Sequence, residues 1–130
     1  MANLCPFCNL AIDRIVMHND VGSVVRDAFP VAIGHTLIIP KRHMTSLFDA
    51  TAAEAAGLFT LLQQAKAELQ QTLRPAGFNI GINDGAAAVQ TVPHLHVHLI
   101  PRYQGDSPDP RGGVRWVLPE KADYWSERTK

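Results

Sequence analysis

Three histidines at alternate positions, His94, His96 and His98, are the residues of this 130-residue chain whose types and spacing best indicate chemistry. On a β-strand such side chains share a face and lie about 6.6 Å apart, because the rise per residue is about 3.3 Å. A row of imidazoles can bind a metal ion, transfer protons or attack an electrophile. A solvated face would normally include Lys, Glu or Thr, so the run predicts a functional site.

Two kinds of chemistry fit this histidine run. Catalytic zinc is often held by three imidazoles, so His94, His96 and His98 could share one metal ion. Alternatively, one of them could act as a nucleophile, because a neutral imidazole nitrogen reacts well near pH 7. Covalent attack divides one difficult displacement into two easier steps. Spacing alone leaves both interpretations open.

The segments around the run predict an antiparallel sheet of about five strands. Residues 15–18 and 21–27 flank the turn-forming pair Asn19-Asp20 and are typical of a hairpin. Residues 35–40, 78–83 and 94–100 are rich in apolar and β-branched residues or alternate in polarity, which indicates three further strands. In the last of these, Leu95, Val97 and Leu99 would face the core.

One long helix is predicted over residues 52–73. Thr51 and Glu54 have the spacing of a capping box, and Pro75 and Gly77 end the helix. Its predicted apolar stripe consists of Ala55, Leu58, Phe59, Leu62, Ala65, Leu69 and Leu73. Strands that cluster before and after a single helix favour an α+β fold over a doubly wound parallel sheet. Residues 105–113, rich in Pro and Gly, begin a tail that we expect to dock through its aromatic residues, Trp116, Tyr124 and Trp125.

Composition narrows the classes of protein further. The apolar fraction of 46% and the charged fraction of 18% are typical of a globular protein, so we expect one domain over residues 1–130. Twelve basic residues balance twelve acidic ones, which argues against a general nucleic-acid binder. We see no stretch of about 20 apolar residues and no signal peptide, and we therefore expect a cytoplasmic protein without a membrane partner. Its two cysteines, Cys5 and Cys8, would then be reduced unless a metal holds them.

Several separated motifs resemble the histidine triad (HIT) family, and they occur in the family's order. These are Cys5-Pro6-Phe7-Cys8, residues 34–43 (Gly-His-Thr-Leu-Ile-Ile-Pro-Lys-Arg-His), Gln90-Thr91-Val92, and residues 94–102 (His-Leu-His-Val-His-Leu-Ile-Pro-Arg). The resemblance covers residues 5–103 and leaves 104–130 as a tail. It is closest to the small bacterial members and to the dinucleoside polyphosphate hydrolases. It implies a HIT-like fold.

The resemblance also implies a reaction. His96 would attack the α-phosphorus of a nucleotide and form a nucleotidyl-histidine intermediate, which water then resolves. Its other ring nitrogen must donate to an acceptor, for which we expect a backbone carbonyl. His98 would hydrogen-bond the phosphate and assist the leaving group. His35 would support the triad from a neighbouring strand.

The substrate contacts implied by the resemblance lie outside the triad. Gln90 and Thr91 would hold phosphate oxygens, and Asn83 would reach the phosphate and ribose. Asp27 would accept from ribose hydroxyls. For Asn83 and Asp27 a turn or capping role is the alternative. Two further residues would line the base pocket, with plain core packing as the alternative: Phe7 and Val25.

A structural zinc site is the second feature implied by the resemblance. The Cys5–Cys8 spacing alone is equally typical of a redox pair, and free thiols are a further alternative. Some bacterial family members hold zinc with such a pair and two histidines, which correspond here to His43 and His94. Two thiolates and two imidazoles form a closed tetrahedral site, which is typical of structural zinc.

The predicted substrate is a nucleotide, with dinucleoside polyphosphate hydrolysis as the leading hypothesis and Mg²⁺ as a possible companion of the polyphosphate. A nucleoside phosphoramidase and a non-catalytic nucleotide-binding module are the alternatives. Arg102, Arg111 and Arg115 could meet distal phosphates or be solvated. The resemblance also implies a homodimer joined through the long helix and an edge strand.

Overall fold

A computed structural model describes residues 4–126 of the chain. It contains a five-stranded antiparallel sheet in the order β1-β2-β3-β5-β4 and one long helix. The α+β fold expected from the sequence is therefore confirmed. The elements are β1 (Ile15–His18), β2 (Gly22–Arg26), β3 (Thr36–Pro40), α1 (Ala52–Leu73), β4 (Gly77–Gly81) and β5 (Val97–Arg102).

The predicted β1–β2 hairpin is present and is closed by the side chain of Asn19. Its Oδ1 accepts from the backbone N–H groups of Val21 and Gly22, each at 3.0 Å. A Cβ at Gly22 would lie 2.8 Å from Leu58 Cδ2, so the glycine allows α1 to pack closely on β2. Asn19 thus determines the turn, and Gly22, three residues later, determines how closely the helix packs.

Helix α1 has the predicted bounds and the predicted cap. Thr51 Oγ1 accepts from Glu54 N at 3.1 Å, and Glu54 Oε1 accepts from Thr51 N at 2.9 Å. The predicted apolar stripe is wrong at three positions that are exposed, Ala55, Phe59 (58%) and Leu73 (38%), and it left out Leu61, which is buried. The helix lies on one face of the sheet, so only a narrow stripe is covered, namely Leu58, Leu61, Ala65 and Leu69.

The two faces of the sheet carry separate apolar clusters. Alternate strand residues point to opposite faces, so Val24 and Ile38 meet α1 while their neighbours Val25 and Leu37 face away from it. On that second face Phe7 packs from the N-terminal arm, together with Leu10 and Ile15. The second face is the one that His96 and His98 also occupy.

The predicted strand over 94–100 is wrong at its start, because β5 begins only at Val97. A bend covers residues 92–94, and Leu95 N–H donates to Met44 O at 2.7 Å instead of to a strand neighbour. His94 and His96 therefore do not stand in a regular row with His98. Leu95, Val97 and Leu99 are buried in the core beneath α1, as predicted.

The tail docks, as its aromatic residues indicated. It forms two short 3₁₀ turns, Gly113–Val117 and Pro119–Lys121, and the first of these contacts β4. Trp116 Nε1 donates to Arg111 O at 2.7 Å, and Ala122 is fully buried. Within residues 4–126, none of the helices combines the length and the apolar character required to cross a membrane.

Candidate active site

The central residue of the site is His96, which is 9% exposed and lies between two aromatic rings. Its ring centroid is 5.0 Å from that of Phe7 and 5.2 Å from that of His98. Nδ1 of His96 lies 2.9 Å from the backbone oxygen of His94. A carbonyl oxygen only accepts, so Nδ1 carries the proton and Nε2 keeps its lone pair. The acceptor is a backbone carbonyl, as we expected from the sequence.

His98 takes the opposite tautomer through a chain of hydrogen bonds. The backbone N–H of Val31 donates to His35 Nδ1 at 3.1 Å, so the proton of neutral His35 is on Nε2. That nitrogen lies 2.9 Å from His98 Nδ1, which must accept. The proton of His98 is therefore on Nε2. Burial lowers the pKa of both His35 and His98, which favours these neutral forms.

Asp27 lies at the end of β2 beside this chain of histidines. Its Oδ1 accepts from Phe29 N at 2.8 Å, and its Oδ2 is 3.4 Å from His35 Nε2. The negative charge of Asp27 raises the pKa of His35 and so opposes the larger effect of burial. Asp27 therefore stabilises the turn that follows β2 and changes the electrostatic environment of His35. Its contact with the ribose stays a prediction.

The N-terminal arm brings the two cysteines to His43 and His94. Sulfur–nitrogen distances are 3.4 Å from Cys5 Sγ to His94 Nδ1, 3.5 Å from Cys8 Sγ to His94 Nδ1 and 3.1 Å from Cys8 Sγ to His43 Nδ1. The two Nδ1 atoms are 3.2 Å apart. Tetrahedral zinc, with bonds of about 2.3 Å to S and 2.0–2.1 Å to N, separates S from N by about 3.5 Å and N from N by about 3.3 Å. These four residues can therefore hold a metal ion.

Neighbouring backbone orients His94 for such a role. Its Nε2 lies 2.9 Å from Pro40 O, so Nε2 carries the proton and Nδ1 presents a lone pair to the two sulfurs. Burial lowers the pKa of His94, which again favours the neutral ring. Burial, followed by the neighbouring Cys5, raises the pKa of the Cys8 thiol. A bound cation would reverse that effect by stabilising the thiolate.

The geometry argues against one catalytic metal shared by the whole run. His94 uses Nε2 for Pro40 O and directs Nδ1 to the cysteines, away from His96 and His98. Asp27, His35 and His98 also have possible ligand atoms within 4.8 Å of one another. The 2.9 Å between the His35 and His98 nitrogens, however, is a hydrogen-bond length and is shorter than the roughly 3.3 Å between two nitrogens on zinc.

The remaining predicted substrate residues lie at different distances from His96. Phe7 contacts the ring directly, and Val25 is fully buried in the cluster beneath it. Gln90 uses both ends of its amide within loops: Oε1 accepts from Gly85 N at 2.9 Å and Nε2 donates to Thr45 O at 2.8 Å. Thr91 and Asn83 are exposed, and Asn83 borders a large cleft next to His98.

Sequence reasoning expected a backbone carbonyl at His96 without identifying it, and it missed the backbone groups that determine the tautomers of His35 and His94. Val31 N–H fixes His35 and Pro40 O fixes His94. The carbonyl of His94 fixes a third histidine, His96. Backbone groups have no residue signature, so no motif could have indicated them. Only the folded chain brings them to the imidazoles.

Fold and site together define a known class of protein. The family model of the HIT domain matches residues 11–105, and the chain belongs to the histidine triad family. A 16.1 kDa HIT-like protein of Mycoplasma pneumoniae is 41% identical over 107 residues, which cover 78% of this chain and 74% of that protein.

Two further similarities bear on the site. The asymmetrical bis(5′-nucleosyl)-tetraphosphatase of Schizosaccharomyces pombe is 43% identical over 77 residues, or 59% of this chain and 42% of that protein. A zinc-bound histidine triad family protein from Mycobacterium smegmatis, solved by crystallography, superposes with a TM-score of 0.72 at 31% identity and covers 100% of both chains.

Proposed function

We propose that this protein is a nucleotide hydrolase or transferase that acts at the α-phosphorus through a nucleotidyl-His96 intermediate. The observation that supports this most is the pair of opposite tautomers. The carbonyl of His94 leaves the Nε2 lone pair of His96 free to attack. The hydrogen bond from His35 Nε2 to His98 Nδ1 leaves an Nε2–H on the adjacent His98, and this group can donate a hydrogen bond to the substrate. A nucleophile and a hydrogen-bond donor side by side are what phosphoryl displacement requires.

In the first step a bond forms between His96 Nε2 and phosphorus. The bond from phosphorus to the leaving group breaks, and its electron pair departs with the leaving atom, to which His98 Nε2–H donates a hydrogen bond. In the second step water attacks the phosphorus and the P–N bond returns its electron pair to His96. The products are a nucleoside monophosphate and the free leaving group, and the protons of the water pass to solvent or to a basic leaving atom.

The leading substrate in this proposal is a dinucleoside polyphosphate, in keeping with the name of the yeast relative. Phe7 and Val25 would bind the base, Asp27 the ribose, and Asn83, Gln90 and Thr91 the phosphates. Mg²⁺ would accompany the polyphosphate as its counter-ion. A nucleoside phosphoramidate is the second candidate, because Arg102, Arg111 and Arg115 are already bound by other groups of the protein.

The proposed metal at Cys5, Cys8, His43 and His94 is zinc with a structural role. The soft sulfur ligands, the tetrahedral separations and the zinc-bound structural relative support this choice. Bound there, the ion would tie the N-terminal arm to the residue whose carbonyl orients His96. A cytoplasmic location suits the reduced cysteines of such a site.

A homodimer is also part of the proposal. The edge strand β4 and the outer face of α1 would form the contact, because Ile80 and Phe59 expose apolar side chains there. Sedimentation of the purified protein measures this directly.

The test of the reaction is intact-protein mass spectrometry during turnover of diadenosine tetraphosphate and of an adenosine phosphoramidate. We expect one adenylyl adduct, mapped to His96 by peptide analysis. His96→Ala should lose the adduct and reduce turnover by roughly 10⁴-fold while still binding nucleotide. The matched control is His18→Ala. It removes an exposed histidine at the last position of β1, outside the site, and this variant should react as wild type. Normal turnover by His96→Ala, or nucleotide binding without turnover of either substrate, would contradict the proposal.

A further inference from the structure

A cleft of about 940 Å³ lies on the far side of His98 from Phe7. On β5, His98 and Ile100 share the catalytic face, and they pair with Gly81 and Asn79 on β4. The tail crosses this surface with Trp116 and its neighbours and completes the wall. The cleft is therefore continuous with the proposed reaction centre but separate from the cluster around Phe7.

The walls of this cleft are largely apolar. The loop before β3 contributes Val31 and Ile33, and β5 contributes Ile100. The tail adds Val114, Trp116 and Val117. Tyr103 anchors the loop side, since its hydroxyl donates to Ile33 O at 2.7 Å. The floor is open at Gly81, where an added Cβ would meet nothing within 4 Å.

The cleft offers no unpaired cation among its described lining residues. Arg102 is the only Lys or Arg that lines it, and both Nε and Nη2 of Arg102 bind the carboxylate of Asp106, at 2.8 and 2.9 Å. Its Nη1 donates to Asn79 Oδ1 at 2.8 Å. His35 and His98, which also line the cleft, have pKa values lowered mainly by burial.

Arg111 and Arg115, which belong to the tail, are bound as well. Arg111 pairs with Asp109 at 2.9 Å and lies over the ring of Trp125. Arg115 donates to the carbonyl oxygens of Ala122 and Lys121. These arginines hold the tail in place, and a polyphosphate in the cleft would face apolar walls and the carboxylate of Asp106.

We infer that this tail-built cleft is the subsite for the leaving group of the substrate, and that it selects an uncharged aryl or alkyl group over a polyphosphate. A dinucleoside polyphosphate would then be the poorer of the two candidate substrates of the proposed function. The inference rests on the proposed function. Nucleoside and leaving group diverge from one phosphorus, so a nucleoside seated at Phe7 directs the other substituent past His98 toward β4. Apolar walls then contribute to binding through the hydrophobic effect, whereas a chain of phosphates would lose solvation without gaining a free cation.

The first experiment compares substrates that share adenosine 5′-phosphate but differ in leaving group. These are the 4-nitrophenyl ester, the phosphorofluoridate and diadenosine tetraphosphate. We expect Trp116→Ala to reduce kcat/KM for the aryl ester about 10-fold and for the phosphorofluoridate less than about 2-fold, because only the former fills the cleft. Trp116→Phe should restore most of the loss. The matched control is Tyr124→Ala, an aromatic tail residue of similar exposure, 44% against 49%, outside the cleft.

A second pair of variants changes the floor instead of the wall. Gly81→Val adds volume inside the cleft, whereas Gly77→Val adds the same volume on the same face of β4 outside it, and neither added Cβ meets another atom within 4 Å. Gly81→Val should reduce kcat/KM for the aryl ester about 10-fold relative to the phosphorofluoridate, and Gly77→Val should not. This pair keeps the test decisive if Trp116→Ala unfolds the tail.

Asp106→Asn tests the charge argument by releasing Arg102. We expect kcat/KM for diadenosine tetraphosphate to rise about 5-fold relative to the aryl ester, because a free guanidinium pairs well with phosphate. An unchanged ratio would overturn the selectivity. Equal changes for aryl ester and phosphorofluoridate in Trp116→Ala and Gly81→Val would overturn the subsite. Failure of all three substrates would instead refute the proposed function, and this inference with it.

Discussion

The two ends of the histidine run share a residue type and a tautomer but differ in the groups that surround them. His94 is fully buried, binds Pro40 O through Nε2 and turns Nδ1 toward two sulfurs. His98 lies on β5 and receives at Nδ1 a hydrogen bond from His35. Identical side chains four residues apart thus carry the proton on the same nitrogen, Nε2, but direct the Nδ1 lone pair to different neighbours. The comparison teaches that the packing partner of a histidine, more than its spacing in a motif, determines its chemistry.

His96 joins the two ends through the backbone. The ring of His94 faces the cysteines, and the backbone carbonyl of His94 lies 2.9 Å from His96 Nδ1. On the other side, the rings of His96 and His98 are 5.2 Å apart. The proposed zinc end therefore positions His96 through a backbone carbonyl, whereas the His98 end is the one proposed to act on the substrate. The following predictions test this division.

The largest effect is expected at the metal end. His43→Ala removes one proposed ligand and should lower the free energy of unfolding by about 3 kcal/mol or more, because structural zinc contributes directly to folding. The Tm should fall by about 10 °C, and the zinc content by at least half. The matched control is His18→Ala, also exposed but outside the group, which should change stability by less than about 0.5 kcal/mol. Equal Tm and zinc content in the two variants would refute the structural metal.

The other end should show the reverse pattern. In His98→Asn the side-chain oxygen can still accept from His35, but the Nε2–H is lost. We expect kcat to fall about 100-fold, which is typical of losing a proton-donating group, while zinc content and Tm stay near wild type. A His98→Asn protein with a wild-type rate would contradict the role of His98. One that lost its zinc would show that the two ends are not separate.

The buried histidines at this end also predict how stability depends on pH. Burial lowers the pKa of His35 in the folded protein from its ordinary value of 6.5. The unfolded chain therefore binds the proton more readily, and stability present above pH 6.5 is lost as the pH falls below it. His35→Gln, which can still donate to His98, should show a smaller loss of unfolding free energy between pH 7 and pH 5.5 than wild type.

Urea titrations at several pH values measure that difference, and zinc saturation is kept equal in both proteins. Two ion-paired carboxylates stay charged throughout this window, because hydrogen bonding to Arg42 lowers the pKa of Glu54 to about 2, and bonding to Arg102 lowers that of Asp106 to about 2. A steeper loss in His35→Gln than in wild type would reverse the predicted sign.

The smallest effect is expected at Phe7, whose ring contacts both His94 and His96. Edge contacts of this kind contribute about 0.5–1.5 kcal/mol, so Phe7→Leu should raise KM or lower kcat by about 3-fold to 10-fold. Zinc content should not change, because the ring supplies no ligand. Loss of zinc in this variant would mean that Phe7 serves the metal end more than the substrate.

Local patterns predicted much of the fold. The bounds of α1 followed from a capping box, a stripe of apolar residues and Pro75, all of which act within a few residues. The β1–β2 hairpin followed from the Asn19-Asp20 turn in the same way. The exposure of Phe59 did not follow, since it depends on how much of the helix the sheet covers.

Parts of the site could be predicted only as candidates. The sequence brought Cys5, Cys8, His43 and His94 together through resemblance, and the ligand distances now support that grouping. Three arginines were candidates for distal phosphates, but Asp106, Asp109 and backbone carbonyls bind them, namely Arg102, Arg111 and Arg115. Such pairings depend on the path of the tail, which no periodic pattern specifies.

The sequence by itself determined the residue types of the histidine run, the single long helix, the α+β class and the family. Only the tertiary structure decided which way each imidazole turns and which of its nitrogens carries the proton. The physical reason is that a side chain's spacing is a property of the chain, whereas its tautomer is determined by the donors and acceptors around it. Those groups, Val31 N–H, Pro40 O and His94 O, become neighbours of the rings only on folding.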